Sequence, residues 1–152
     1  MIDVRFPTAL QMMLSLALAQ SEGVPRLSSS KLAAGVESNP TFVRKLLTPL
    51  LETGLIVSTA GRDGGISLAH PPDAITIAAI YQASTGLGPF WSPRENIPHR
   101  CIVSCNFNNF FADLAAAADR AVRSELAEQT LADALNDLRA RERLRSRRRR
   151  TD

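Results

Sequence analysis

The chain has 152 residues, of which 45% are hydrophobic and 22% are charged, and these proportions are those of an ordinary globular protein. Its two cysteines are too few for a disulfide-stapled secreted module. No apolar run approaches the roughly 20 residues that cross a bilayer. The length also excludes a large two-domain enzyme. Composition therefore predicts a hydrophobic core with room for one additional element and no membrane partner.

The net charge of +3 is unevenly distributed along the chain. Residues 139–152 contain eight arginines against two carboxylates, a net charge of +6, whereas residues 1–138 carry a net charge of −3. Nucleic-acid binding must therefore be argued from local features of the body and not from the overall charge. The arginine-rich tail is either a helix extension that adds phosphate affinity or a solvated end.

An apolar stretch near the N-terminus, Ala9–Ala19, has two interpretations. It resembles a signal-peptide core, but Pro7 interrupts the leading segment and Asp3 offsets the charge of Arg5, whereas signal peptides begin with net positive charge. Its apolar residues recur every three to four positions, which is typical of an amphipathic helix that faces a core. We favour the helix and hence a cytoplasmic protein.

Two short helices are predicted next, separated by a turn. Any of the three serines at 28–30 can cap the first helix, and Gly35 is expected to end it in a left-handed conformation. Asn39 and Pro40 begin the second helix, because asparagine caps a helix and proline is tolerated at its first position. Apolar residues then repeat at helical spacing, with a bend expected at Pro49. This is a helix-turn-helix pattern.

Two β-prone runs, Leu55–Thr59 and Ile66–Ala69, flank a glycine-rich segment that contains the pair Asp63-Gly64. Asp-Gly favours tight hairpin turns, so we predict a β-hairpin with Arg62 at its tip. A further helix begins after the capping residue Thr76. Helices followed by such a hairpin predict a mainly α fold with a small β-hairpin wing, the winged helix-turn-helix, followed by a long helix.

In a winged helix-turn-helix, the third helix enters the major groove of DNA and the wing contacts phosphates or the minor groove. Polar and basic side chains cluster on the first turn of that helix and at the hairpin tip, which favours double-stranded DNA as a partner over a motif that only packs. The predicted DNA-binding residues are Ser28, Ser30, Lys31, Ser38, Asn39, Thr41, Arg44, Lys45 and Arg62. The competing interpretation is a dimeric protein-interaction module that never engages DNA.

Residues 87–106 show no periodicity, and a long helical pattern follows from Phe107. Ala115–Ala118 make one face of this helix small, which suits close approach of another helix. Thr130 and Asp133 have the spacing of a capping box and open a last helix through Leu138.

The segment Asn39–Leu47, the glycine-rich hairpin and the segment Pro72–Tyr81 resemble the Rrf2 family of bacterial winged-helix regulators, which includes the Isc regulator and the nitrite-sensitive repressor. The likeness covers about residues 3–135 and is greatest to the cluster-free branch. It implies a recognition helix at Ser38–Lys45, a wing tip at Gly61–Gly65, and a homodimer on a palindromic operator. The long helix would cross to the partner, with contacts expected at Phe107, Phe110, Phe111, Leu114, Ala118 and Val122.

The resemblance divides the chain into four parts. Residues 1–86 are expected to form the winged helix-turn-helix, residues 87–106 a sensor loop, residues 107–138 the dimerisation helices, and residues 139–152 the arginine-rich tail.

Cluster-binding members of this family carry three cysteines before the long helix, whereas this sequence has Cys101 and Cys105 alone. An iron–sulfur cluster takes four ligands and His99 adds at most a third, so no cofactor is predicted. The two thiols have three interpretations. They form a redox pair, with Arg100 favouring the reactive thiolate; they join His99 in an incomplete zinc or iron site; or they are small side chains that fill a loop.

No pattern in the sequence predicts an enzyme. Its two histidines, His70 and His99, stand in no catalytic spacing, and the glycines of the hairpin lie between strands and do not open a helix. We predict a sequence-specific, homodimeric transcriptional regulator, with repression the expected mode. Its signal is either redox or thiol-reactive, through the two cysteines, or a small-molecule effector if the cysteines are structural.

Overall fold

A computed structural model of the chain describes residues 3–88 and 90–149; the last three residues of the predicted tail lie outside these ranges. The helices are α1 (Arg5–Ser21), α2 (Ser29–Gly35), α3 (Pro40–Glu52), α4 (Ile77–Thr85), α5 (Ile102–Ala127) and α6 (Leu131–Arg148). Strands β1 (Ile56–Thr59) and β2 (Gly65–Leu68) form an antiparallel hairpin between α3 and α4, and a 3₁₀ turn (Pro72–Ala74) precedes α4. The predicted mainly helical fold with a small β-hairpin is confirmed.

Helix α1 lies at the centre of the core. Ala9, Met12 and Met13 are completely buried, and Leu16 and Ala17 nearly so. The helix packs against α2, α3, α4, α6 and β2, which accounts for its nearly continuous apolar sequence. The helical interpretation of residues 9–19 is therefore confirmed. In the described part of the chain, no helix combines the length and hydropathy that crossing a membrane requires.

Local hydrogen bonds begin α2 and α3 as predicted. The Ser28 hydroxyl accepts a hydrogen bond from the Lys31 amide (3.2 Å), and the Asn39 side-chain oxygen accepts one from the Thr41 amide (2.8 Å). The predicted left-handed residue at the end of α2 is wrong, because Glu37 and not Gly35 has the positive φ of 47°. The amides of Glu37 and Ser38 donate to the last free carbonyls of α2, which offsets the strain at Glu37.

Helix α3 continues through Pro49 for three more residues. Proline has no amide hydrogen, so its presence removes the hydrogen bond to the carbonyl of Lys45. On the C-terminal side of Pro49, the helix is held by Thr53. The amide and the hydroxyl of Thr53 both donate to the Pro49 carbonyl, at 3.0 and 2.7 Å. The expected bend thus does not end the helix, which keeps Val43, Leu46, Leu47 and Leu50 buried.

The hairpin is tied to the start of α2. The amide of Leu27 donates to the carbonyl of Ile66 (2.9 Å) and the amide of Ile66 donates back to Leu27 (2.8 Å). At the turn, a side chain at position 64 would place its Cβ 2.1 Å from the carbonyl oxygen of Thr59, so only glycine fits. These contacts hold the hairpin tip beside α2 and α3.

Helix α5 begins at Ile102, five residues earlier than the periodicity predicted, so Cys105 lies on the helix and not in a loop.

After α5, the chain returns to the core. The Leu131 amide donates to the Ile75 carbonyl (2.7 Å), and Leu131 and Leu135 are buried against α1. The predicted capping box at Thr130 and Asp133 is confirmed. Helix α6 extends to Arg148, so the first part of the tail is a helix extension.

Candidate nucleic-acid interface

Helix α3 separates into a buried face and a polar face. Its apolar side chains fix the helix against α1, α2 and α4, whereas Thr41, Arg44, Lys45 and Thr48 are exposed. Because an α-helix repeats every 3.6 residues, Arg44 and Thr48 lie one above the other, and the Thr48 hydroxyl donates to the Arg44 carbonyl (3.1 Å). The helix therefore presents a polar, cationic strip to solvent.

The fold brings this strip, the start of α2 and the hairpin tip around one cleft of about 550 Å³. Arg44 lines it from α3, Arg62 from the hairpin tip, and Ser28 from the cap of α2. These three predicted residues are 16 to 34 positions apart in the sequence, and it is the backbone pairing of Leu27 with Ile66 that brings the segments together. Two guanidinium groups beside serine hydroxyls are suited to phosphate recognition.

The remaining predicted DNA-binding residues lie outside this cleft. Lys31, Ser30, Thr41 and Lys45 are exposed on α2 and α3, whereas Asn39 uses its side-chain oxygen to cap α3. Ser38 is half-buried between the two helices. Three polar residues that line the cleft were not predicted: Ser29, Thr48 and Ser58. Of these, Thr48 was recognisable, because it follows Arg44 by one helical turn.

Helix α5 has three distinct faces. One packs against α4 and carries Phe111, Ala115 and Val122, which are buried or partly buried. A second is polar. The third is an exposed apolar stripe at alternating spacings of four and three residues, in which Val103, Phe110 and Leu114 are 65%, 63% and 51% exposed. The complete stripe consists of Val103, Phe107, Phe110, Leu114, Ala117 and Ala121.

The six predicted dimer residues therefore do not share one face. Phe110 and Leu114 lie on the stripe with the partly buried Phe107, whereas Phe111 and Val122 face α4 and Ala118 lies between the two faces. Val103, Ala117 and Ala121 complete the stripe and were not among the predicted residues, although the heptad spacing that joins Val103 to Phe110 and Ala117 is visible in the sequence.

Cys101 is the N-cap of α5 and is exposed, as is Cys105 one turn later. The Ser104 amide points at the Cys101 sulfur, the Ser104 hydroxyl lies 3.5 Å from the same sulfur, and this hydroxyl accepts a hydrogen bond from the Cys101 amide (3.0 Å). Hydrogen bonding from the Ser104 amide, and then from its hydroxyl, holds the pKa of Cys101 below its usual value. Because both thiols are exposed, the interpretation of the two cysteines as small side chains that fill a loop does not agree with the structure.

The Rrf2 family, described as "Iron-dependent Transcriptional regulator", matches residues 2–137. YwnA of Bacillus subtilis (strain 168), provisionally named an HTH-type transcriptional regulator, is 27% identical over 138 residues, which cover 91% of this chain and 99% of YwnA. CymR (YrzC), the global cysteine regulator of B. subtilis, is 26% identical, with a TM-score of 0.62 and coverage of 90% of this chain and 96% of CymR.

T. potens IscR has the same fold, with a TM-score of 0.66 at 20% identity over 91% of this chain and 88% of that one. The family description names iron, but the donor set of this chain does not fit an iron–sulfur cluster. The sequence has two cysteines, where a cluster takes four ligands, mostly thiolates. Within residues 3–88 and 90–149, no three His, Cys, Asp or Glu side chains are grouped to hold a metal ion, so His99 does not complete a site with the two thiols.

The matched region contains every element described above except the C-terminal part of α6. The relatives are regulators of transcription and not enzymes, as the sequence predicted. The helix-turn-helix and its hairpin present basic side chains to one cleft, as DNA binding requires. The chain belongs to the Rrf2 family of transcriptional regulators.

Proposed function

We propose that the protein is a homodimeric repressor that binds a palindromic operator, with α3 in the major groove and the hairpin tip on the phosphate backbone. The observation that carries the proposal is the cleft that Arg44 and Arg62 share. An arginine on a recognition helix reads guanine or holds a phosphate, and an arginine at a wing tip contacts the backbone or the minor groove. The proposal keeps the predicted division of the chain into DNA-binding, sensor and dimerisation parts, with residues 102–106 of the sensor part at the start of α5.

The exposed stripe on α5 supports a homodimer. Spacings of four and three residues form the a/d pattern of a coiled coil, in which each helix buries its stripe against an identical helix. Full burial of a phenylalanine or leucine side chain stabilises by roughly 1.5–3 kcal/mol, and Phe110 and Leu114, which are still more than half exposed, would gain somewhat more than half of this each in a dimer. A two-fold dimer would present two copies of α3 to two half-sites about one helical turn of DNA apart.

The thiols at the start of α5 support a redox signal. The thiolate is the nucleophilic form of cysteine, so the hydrogen bonds from Ser104 favour attack by Cys101 on a peroxide. The peroxide O–O bond breaks, and Cys101 becomes a sulfenic acid. The thiol of Cys105 then displaces water from this sulfenic acid to form a disulfide. Residues one helical turn apart have Cβ atoms roughly 5–6 Å apart, beyond the roughly 3.5–4.5 Å of a disulfide, so this bond would distort the first turn of α5.

Binding-site selection from a random duplex library tests the DNA-binding part of the proposal. The expected result is an enriched inverted repeat with half-sites about 10 base pairs apart. Enrichment of a single unrepeated site would contradict a two-fold dimer on DNA, and the absence of any enrichment would favour a protein-interaction module.

Fluorescence-anisotropy titration of the selected duplex, with reductant and with peroxide, tests the signal. Binding is expected to change sharply between the two conditions in the wild-type protein and to become insensitive to them in Cys101→Ser. Equal binding by the wild-type protein in both conditions would remove the thiols from sensing and leave a small-molecule effector as the signal.

A further inference from the structure

A small cleft of about 250 Å³ lies between the start of α1 and the end of α4. Arg5 and Phe6 line it from α1, Tyr81 and Thr85 from α4, and Phe90 from the segment that follows. Pockets for drug-sized ligands measure roughly 300–1,000 Å³, so this cleft has the size for a molecule with a single ring. It is separate from the DNA-facing cleft and from the two thiols.

The aromatic walls of the cleft are set at stacking distances. The Phe6 ring meets Tyr81 edge-on with centroids 5.1 Å apart, and the Phe90 ring lies 5.7 Å from Tyr81. The guanidinium of Arg123 lies over the Tyr81 ring, 5.4 Å from its centroid. A planar aromatic ligand would meet these walls in the edge-to-face or offset contacts that aromatic rings prefer.

Tyr81 supplies an unused polar group. The residue is only 5% exposed, and buried tyrosine hydroxyls usually have a hydrogen-bond partner. Its backbone carbonyl accepts hydrogen bonds from Ser84 and Thr85, but its hydroxyl has no partner among residues 3–88 and 90–149. The hydroxyl is not among the described side-chain atoms that are shut off from solvent without a partner, so it remains accessible, and a ligand in the cleft that Tyr81 lines would supply a partner.

The second polar group is Arg5, which forms an ion pair with Asp3 at the cleft. The two carboxylate oxygens of Asp3 accept from the Arg5 amide (2.9 Å), from Nε (3.0 and 3.1 Å) and from Nη2 (2.6 Å). The lone pairs of the Asp3 carboxylate are therefore used. The two N–H donors on Nη1 of Arg5 take part in none of these bonds. Nη1 of Arg5 and the Tyr81 hydroxyl can therefore both donate at the cleft, and a carboxylate matches two such donors.

We propose that this cleft binds a small aromatic carboxylate, with the ring between Phe6 and Phe90 and the carboxylate on Nη1 of Arg5 and the hydroxyl of Tyr81. The inference deepens the proposed function by naming an effector class, and it rests on that function for its regulatory meaning. A chain of rings connects the cleft to the dimerisation helix, because Phe90 is 5.9 Å from Trp91 and Trp91 is 6.4 Å from Phe111 on α5. A ligand that moves Phe90 would therefore act on α5.

Titration of the full-length protein, without DNA, by the fluorescence of Trp91 tests the inference, because Trp91 is the sole tryptophan and lies beside Phe90. Benzoate is expected to produce a saturable change, whereas acetate, which lacks the ring, and benzyl alcohol, which lacks the charge, produce none. Tyr81→Phe keeps the ring contacts and removes only the hydroxyl. This variant and Arg5→Gln are expected to weaken benzoate binding about tenfold or more, whereas the exposed control Arg26→Gln leaves it unchanged.

Absence of a saturable change with benzoate would overturn the proposal, and so would undiminished binding by a Tyr81→Phe variant with unchanged circular dichroism. Equal binding of benzyl alcohol would assign the cleft to neutral aromatics instead. Because the titration contains no DNA, its failure leaves the proposed function untouched. Failure of the DNA selection, conversely, would leave an aromatic-acid binding protein without an operator.

Discussion

Arg44 and Arg62 reach one cleft from different elements, and their roles are separable because base and phosphate contacts have different geometry. Replacing Arg44 with Ala should weaken operator binding by about 1–3 kcal/mol if the side chain reads a base. Arg44→Lys should lose most of the same energy, since lysine cannot form the paired hydrogen bonds of a guanidinium. Anisotropy titrations against the selected operator and a scrambled duplex measure both effects.

The matched control is Arg120→Ala, which removes an exposed arginine from α5. It should change operator affinity little. An Arg44→Ala variant that binds the operator as tightly as the wild-type protein would exclude Arg44 from the interface.

Cys101 offers a second test at the scale of single residues. Its pKa is lowered in the folded protein by hydrogen bonds from Ser104, so its thiolate predominates at a lower pH than in the unfolded chain. The pH midpoint of iodoacetamide alkylation at Cys101 should therefore be lower in the native protein than in urea. Ser104→Ala should raise the native midpoint, because the Ser104 hydroxyl is one of the groups that lower the pKa of Cys101.

The lowered pKa of Cys101 makes the stability of the folded protein depend on pH. A depressed pKa favours the folded state at pH values above the unfolded pKa, and that contribution is lost as the pH falls through the folded pKa. Alkylation mapped by mass spectrometry gives the midpoint at each cysteine. Identical midpoints in the native and unfolded chains would show that Ser104 does not activate the thiol.

Among the elements, α3 contains the clearest conflict between sequence and structure. Pro49 deprives the Lys45 carbonyl of its hydrogen bond, and an interior proline costs a regular helix about 3 kcal/mol. Pro49→Ala restores the amide donor but makes the unfolded chain more flexible, at a cost of roughly 0.4–1 kcal/mol. The net expectation is a rise of about 2–2.6 kcal/mol in the free energy of unfolding, measured by urea denaturation.

Thr48→Ala is the control for this experiment, because it lies beside Pro49 and changes no backbone donor. It should leave the free energy of unfolding within about 0.5 kcal/mol of the wild-type value. A fall in the stability of Pro49→Ala would mean that the proline ring, which is partly buried, contributes more by packing than its missing amide costs.

The beginnings of most elements were predictable because they depend on neighbours in the sequence. Asn39, Thr76 and Thr130 accept hydrogen bonds from amides two or three residues later, and such contacts are encoded within one turn of helix. The start of α5 was not predictable in this way, since cysteine is not among the preferred capping residues. The left-handed Glu37 escaped prediction for a similar reason, because glycine is the usual residue there.

For the molecule as a whole, the proposed homodimer rests on the stripe on α5. Ala116 and Ala117 are adjacent and both exposed, but only Ala117 lies on the stripe. Ala117→Asp would place two carboxylates in the helix–helix interface of a dimer, where an unpaired buried charge is strongly unfavourable. Sedimentation velocity should therefore find Ala117→Asp monomeric at concentrations where the wild-type protein is a dimer.

Ala116→Asp adds the same charge on the polar side of the helix and should remain dimeric. Dissociation of both variants would indicate a general loss of helix stability, and a dimeric Ala117→Asp would place the interface on another surface.

The sequence by itself determined the order of the helices, the hairpin with Arg62 at its tip, the caps of α3, α4 and α6, and the family. These depend on periodicity and on contacts between near neighbours in the chain. Tertiary structure decided which surfaces remain free. The packing of α4 against α5 covers Phe111 and Val122 and leaves Phe110 and Leu114 exposed. The docking of α1 beside α4 buries Tyr81 and leaves its hydroxyl at a cleft with Arg5. Such juxtapositions join residues dozens of positions apart, and they arise only when the apolar faces of several helices are buried together.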